Sequence, residues 1–219
     1  QSAVQQKPKQ VNYRFNLAVA YYELHRWSEV EKTVRAVLKL RPKHANALNL
    51  LGFMFSELNR DIDEAEQLLN RAIAIEPDNA AFLDSLGWIY YRQGRFKLAL
   101  EKIQHASNKI PDDAVILDHL GDVYFVLDRI EDARASWQRA ASMAEEAEPP
   151  DPTLATIREK LDALGEPEAG GEGGARAGGE VAQQFPGTVE PAAILFSLGE
   201  ADDRIGVARC FCGQRFDGA

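Results

Sequence analysis

A leucine followed by a small residue recurs at Leu17-Ala18, Leu51-Gly52, Leu86-Gly87 and Leu120-Gly121, at intervals of 34, 35 and 34 residues. This periodicity constrains the fold more than anything else in the chain, because self-similarity at such a spacing marks a stack of like supersecondary units. Three residues after each small residue stands an aromatic: Tyr21, Phe55, Tyr90 and Tyr124. Small or apolar residues follow in phase, first Val30, Ala65, Ala99 and Ala133, then Val37, Ala72, Ala106 and Ala140, and a proline closes three units at Pro42, Pro77 and Pro111. The phase survives a one-residue insertion in "NRDIDEA". A glycine inside an amphipathic segment such as "FLDSLGWIYYRQGRFKLAL" costs a helix roughly 0.5–1 kcal/mol relative to alanine. Its recurrence predicts a neighbouring helix that crosses too closely for a Cβ.

Each unit reads as two helices of about 13 residues on either side of a short turn such as "RQGR" or "LDR", with a proline-marked break before the next unit. A unit of this size is too thin to bury its apolar face alone, so neighbouring units must stack. The Leu-small-x-x-aromatic, small, small, Pro pattern resembles the tetratricopeptide repeat (TPR) family. The resemblance implies an all-α, right-handed helix-turn-helix solenoid of four repeats with a C-terminal capping helix. The expected boundaries are 1–10 for a leader segment, 11–44, 45–79, 80–113 and 114–148 for the repeats, and 149–165 for the capping helix. In the first unit Ala18 replaces glycine and valines replace both alanines; the fourth lacks its proline, so its second helix is expected to run on to about Glu146. The strings "DSLGWIYY", "DHLGDVY", "ASWQRA" and "IREKL" resemble the C-terminal repeat block of bacterial TPR proteins, many of them exported or lipid-anchored.

The end of the stack has its own signals. Asp151 is expected to cap a helix opened by Pro152, with Leu154, Ile157, Leu161 and Leu164 as its apolar stripe and Gly165 as its stop. From 166 to 219 the sequence begins with the glycine-rich, acidic "GEPEAGGEGGARAGGE" and is expected to form a flexible linker and a tail without assigned structure. The sequence opens on Gln1 with no charged-then-apolar leader, which is the expectation for a processed or truncated form. No run approaches the roughly 18 apolar residues of a membrane span. The net charge of −9 argues against a nucleic-acid binder.

Catalytic and metal signatures are lacking. His25, His44, His105 and His119 fall at different phases of the repeat without partners at ligand spacing. The only cysteines, Cys210 and Cys212, make a lone C-x-C that reads as incidental. Asp84, Asp118 and Asp122 have no phosphate loop or nucleophile motif around them. The expectation is a protein that is not an enzyme and needs no cofactor or metal.

The resemblance directs attention to the first helix of each unit, whose face turned from its own second helix would line the concave wall. At helical spacing that face carries Asn12, Phe15, Val19 and Tyr22, then Asn46, Asn49, Phe53 and Ser56, then Asp84, Trp88 and Tyr91, then Asp118, Asp122 and Phe125. The family often holds a peptide there. Asn side chains bond a ligand's backbone and aromatic rings supply rigid contact area. No Lys or Arg occupies these positions, so a clamp for a terminal carboxylate is not expected, and the acidic end favours a neutral or cationic segment. The expected function is a protein-interaction scaffold binding a peptide or partner protein, in a bacterial cell-envelope or assembly system. The alternatives are a self-associating oligomer and a repeat module accessory to a metal-dependent enzyme.

Overall fold

In the computed structural model, residues 2–147, 151 and 153–165 are described, with side chains from residue 10 onward. The expected linker and tail, 166–219, and both cysteines lie outside the described residues. Nine α-helices and no strands occur among the described residues: α1 (Ser2–Glu23), α2 (Trp27–Leu40), α3 (Ala45–Glu57), α4 (Ile62–Ile75), α5 (Ala80–Arg92), α6 (Phe96–Lys109), α7 (Ala114–Val126), α8 (Ile130–Glu146) and α9 (Leu154–Ala163). Two compact units divide them, one holding α1 to α6 and the other α7 to α9. Because α1 begins at Ser2, the stretch expected as a leader is helical. Its Ala, Gln and Lys residues are good helix formers.

Each helical hairpin closes by the same device. Before the second helix a residue adopts a left-handed conformation: His25 (φ 53°), Asn59 (φ 46°), Gly94 (φ 71°) and Asp128 (φ 59°). The arginine that follows donates its N–H to the carbonyl of the repeat's aromatic, as Arg26 to Tyr21, Arg60 to Phe55, Arg95 to Tyr90 and Arg129 to Tyr124, all at 2.8–3.0 Å. This six-to-one bond satisfies a carbonyl that the helix end would otherwise orphan. The same guanidinium then lies over the same ring, 4.3 Å from its centroid at Arg95 and Arg129, 4.7 Å at Arg26 and 5.0 Å at Arg60. Breaks between hairpins end in a cap: His44 Nδ1, Asn79 Oδ1 and Asp113 Oδ1 accept the N–H of Ala47, Phe82 and Ile116. Burial lowers the His44 pKa, which keeps the imidazole neutral and able to accept.

The recurring glycines sit where the two helices of a hairpin cross. A Cβ built on Gly87 would lie 2.4 Å from Ile103 Cγ1 and 3.2 Å from the Ala99 carbonyl, and one on Gly121 would lie 2.4 Å from the Trp137 ring. Contacts below 3 Å cannot be made without moving a neighbour. The helical cost of glycine is therefore offset by close packing, with Val30, Ala65, Ala99, Ala133, Val37, Ala72, Ala106 and Ala140 all fully buried.

In the second unit α8 runs three residues past the length of α2, α4 and α6, consistent with the missing proline. Asp151 acts differently from expectation: Thr153 is the N-cap residue of α9, and Asp151 braces it by accepting from both its N–H (3.1 Å) and its hydroxyl (2.9 Å). Ile157 is fully buried, Leu154, Leu161 and Leu164 are half-buried, and Gly165 takes φ 68° at the stop.

Candidate partner-binding wall

In the first unit the positions expected to line the wall sit on α1, α3 and α5. Asn12 is exposed, Val19 and Asn46 are half-buried, and Phe15, Tyr22, Asn49, Phe53, Ser56, Asp84, Trp88 and Tyr91 are each at most 6% exposed. Packing within the unit covers most of the side chains expected to line the wall. Large rings find partners: Phe15 lies 4.8 Å from the His44 ring, Tyr22 meets Trp27 edge-on at 5.2 Å, and Trp88 stacks on Tyr91 at 4.7 Å with 8° between planes. Tyr91 in turn touches Phe96 at 5.6 Å. Aromatic pairs of this kind add to the energy of area burial.

Two polar groups on α3 are not satisfied in this way. Asn49 Oδ1 and Ser56 Oγ are buried with no hydrogen-bond partner among the described residues. They stand seven residues apart, two turns on one face, with Phe53 between them. A buried polar atom without a partner costs about 1–3 kcal/mol, so such atoms are rare and call for a physical reason.

The second unit treats the same repeat positions differently. Lys160 of α9, only 6% exposed, places its ammonium 2.8 and 3.0 Å from the two oxygens of Asp118 and 3.0 Å from Asp122 Oδ2. Trp137 Nε1 donates to Asp122 Oδ1 at 3.0 Å, and Lys160 Nζ sits 5.8 Å from the centre of the indole. Phe125, half-buried, packs 5.7 Å from Trp137. Burial pushes the Asp122 carboxyl up to about 7; the Asp118 charge adds to the rise, while Lys160 and His119 oppose it. Burial presses on the Lys160 ammonium in the opposite sense, but the two carboxylates outweigh it and hold its pKa above the ordinary lysine value. One cation thus serves two carboxyl groups, and the more deeply buried one, Asp122, takes up a proton the more readily.

This pairing corrects a second expectation. Asp118 and Asp122 are already engaged by the chain's own cation, which removes the reason for a cationic segment at that end. Lys160 is the residue of this cluster that the sequence pattern did not single out. Its signal was present, since it lies three residues after Ile157 and four before Leu164, on the edge of the apolar stripe of α9.

No group of three or more His, Cys, Asp or Glu residues among the described residues is placed to hold a metal ion, and no described helix is long and apolar enough to cross a membrane. The arrangement offers walls of aromatic, amide and carboxylate side chains on first helices, backed by second helices. That is the architecture of an α-helical repeat protein, a class that presents faces to other proteins.

Residues 58–118 match the family described as tetratricopeptide repeat. Over 106 residues, 48% of this chain, the sequence is 34% identical to the TPR repeat-containing protein PA4667 of Pseudomonas aeruginosa, but that match spans only 18% of the relative's length. Among solved structures, the chain resembles TTC0263, a thermophilic TPR protein of Thermus thermophilus, with TM-score 0.60 and 20% identity over 92% of this chain and 97% of that one. It also resembles pilF of Pseudomonas aeruginosa, with TM-score 0.59 and 15% identity over 98% and 95% of the two chains, and MamA, with TM-score 0.54 and 19% identity over 66% and 84%. At these identities the structural likenesses speak for the fold alone. TPR proteins typically bind protein partners and are typically not enzymes.

Proposed function

We propose that this protein is a non-enzymatic scaffold that binds a neutral peptide segment or partner protein along the α3 and α5 wall of its first unit. The observation that carries this reading is the pair Asn49 Oδ1 and Ser56 Oγ, buried and unpartnered on one face of α3. An amide oxygen and a hydroxyl two turns apart can each accept an N–H from an extended backbone, and Phe53 between them gives apolar contact. Trp88 and Tyr91, stacked parallel on α5 and almost wholly buried, hold the wall rigid rather than meeting a partner as an open surface. A setting in a bacterial cell-envelope or assembly system is supported by the likeness of four of its sequence strings to bacterial TPR proteins.

The test is an affinity capture from extract with wild type, followed by titration of the recovered partner against Asn49→Ala and Trp88→Ala. Each substitution is expected to weaken binding by more than about 1 kcal/mol. Trp88→Ala should also cost markedly less folding stability than Trp137→Ala. Unchanged affinity in both variants, or a Trp88→Ala protein as unstable as Trp137→Ala, would remove the wall from consideration.

A further inference from the structure

The breaks between hairpins share one contact and differ in charge. At the first and third breaks an arginine of the following second helix reaches back over the turn: Arg71 of α4 donates to the Pro42 carbonyl at 3.2 Å, and Arg139 of α8, at the equivalent repeat position, donates to the Pro111 carbonyl at 2.9 Å. The residue after the proline completes the arrangement at the second and third. Asp112 lies 3.6 Å from Arg139. Asp78 takes the Lys109 ammonium at 2.8 Å, with His105, the counterpart of Arg71 in α6, at 3.9 Å. The bond from Lys109 holds the Asp78 carboxyl below its ordinary pKa.

At the first break the sign is inverted. Lys43 stands where the others have Asp78 and Asp112, so the place that serves a cation elsewhere is itself cationic. Lys39 and Arg41 likewise replace Ala74 and Glu76 of the second break, and Asn108 and Ile110 of the third. Lys39, Arg41, Lys43 and Arg71 are all exposed, and none meets a carboxylate among the described residues. Leu40, 55% exposed, stands among them. The chain as a whole has the opposite balance: residues 1–60 hold 10 Lys and Arg against 4 Asp and Glu, whereas 61–219 hold 15 against 30. Cations gathered on one turn repel one another, and an anion from outside relieves that repulsion.

We propose that the α2–α3 break, together with Arg71, binds a short acidic segment of a partner protein. One carboxylate of that segment takes the place that Asp78 and Asp112 hold at the other breaks, against the Arg71 guanidinium. Further carboxylates meet Lys39, Arg41 and Lys43, and an apolar side chain between them packs on Leu40. The segment is short because an extended anionic surface, whether lipid headgroups or nucleic acid, would also meet the negative charge of residues 61–219 and be repelled. This surface is separate from the α3 and α5 wall and does not depend on it.

The probe is a fluorescein-labelled peptide of repeated Glu-Asp-Leu triplets, capped at both ends and titrated into the full chain at low ionic strength. Saturable binding is expected, weakened by about tenfold when salt is raised to physiological strength. Lys43→Asp installs the carboxylate that the other breaks carry. It should weaken binding by about tenfold or more, since Arg71 then has a partner within the chain. Arg71→Gln should weaken it by about threefold. Both positions are exposed, so each variant should keep the wild-type melting curve. Lys97→Asp, an equal change of net charge at an exposed site on α6, should leave affinity within about twofold. No saturable binding, or an equal loss in Lys97→Asp and Lys43→Asp, overturns the proposal. So does preferential binding of phosphatidylserine vesicles that Lys43→Asp abolishes, which would assign the patch to a membrane surface. A concentration-dependent dimer that the same substitution abolishes would assign it to a second copy and overturn the proposal too.

Discussion

At equivalent repeat positions α3 carries Asn49, Phe53 and Ser56, while α7 carries Asp118, Asp122 and Phe125, and the two walls are finished in opposite ways. In the second unit the carboxylates are closed by Lys160 and Trp137, so that each has a close partner from a neighbouring helix. On α3 an amide oxygen and a hydroxyl are buried without a partner. The contrast teaches that one repeat scaffold, with its backbone unchanged, can spend a wall internally or hold polar capacity in reserve. Charge decides which: buried carboxylates cannot be left uncompensated, whereas a neutral amide can remain unsatisfied at a cost of about 1–3 kcal/mol.

If the closed wall is held as described, its indole is the most sensitive point. Trp137→Ala should lower stability by about 3–5 kcal/mol, since it empties a fully packed site and removes the donor to Asp122. Gly121→Ala, which drives a Cβ into the same ring, should cost a comparable share of that. Chemical denaturation of both variants measures this, and a cost near that of an ordinary surface change would break the contrast between the walls.

Removing the cation comes next. Lys160→Ala leaves the buried Asp122 and the half-buried Asp118 without their cation and should destabilise the second unit by about 3 kcal/mol, with faster amide exchange in α9. Adding Asp118→Asn and Asp122→Asn should recover part of the loss. Without that recovery, Lys160 would act through packing alone.

The pH dependence sharpens the same comparison. The folded-state pKa of Asp122 is raised to about 7 from its ordinary 3.8, so the folded protein holds a proton that the unfolded chain has already released. Stability is greatest while Asp122 is protonated and falls as pH rises toward about 7. Between about pH 5.5 and 8 the loss should be on the order of 1–2 kcal/mol, read as a lower melting temperature at the higher pH. Asp122→Asn should flatten the curve; a wild-type slope retained in that variant would assign it to other groups.

The smallest effect belongs to the turn arginines. Arg95→Ala removes a guanidinium 4.3 Å over Tyr90 and a 2.9 Å bond to Glu66, both at a side chain 42% exposed, and should cost about 0.5–1 kcal/mol in a thermal melt. A loss as large as that of Lys160→Ala would mean that exposed and buried pairs are not distinguished here.

The sequence by itself determined the repeat, the all-α class and the crossing at each glycine, because these rest on local periodicity and on side-chain size at fixed spacing. Gly52, Gly87 and Gly121 could be read as close contacts without knowing what they touch. Burial of the wall could not be read that way. Whether Trp88 or Asn49 meets water depends on what lies beside α5 and α3, and no pattern within one helix contains that information. The Lys160 pair was still less legible: 42 residues separate it from Asp118, and only the packing of α9 brings the ammonium within 2.8 Å of that carboxylate. Arg60 shows the same division, since its spacing from Phe55 fixes the stacked pair, but only the packing of α2 beside α3 brings it to Glu31.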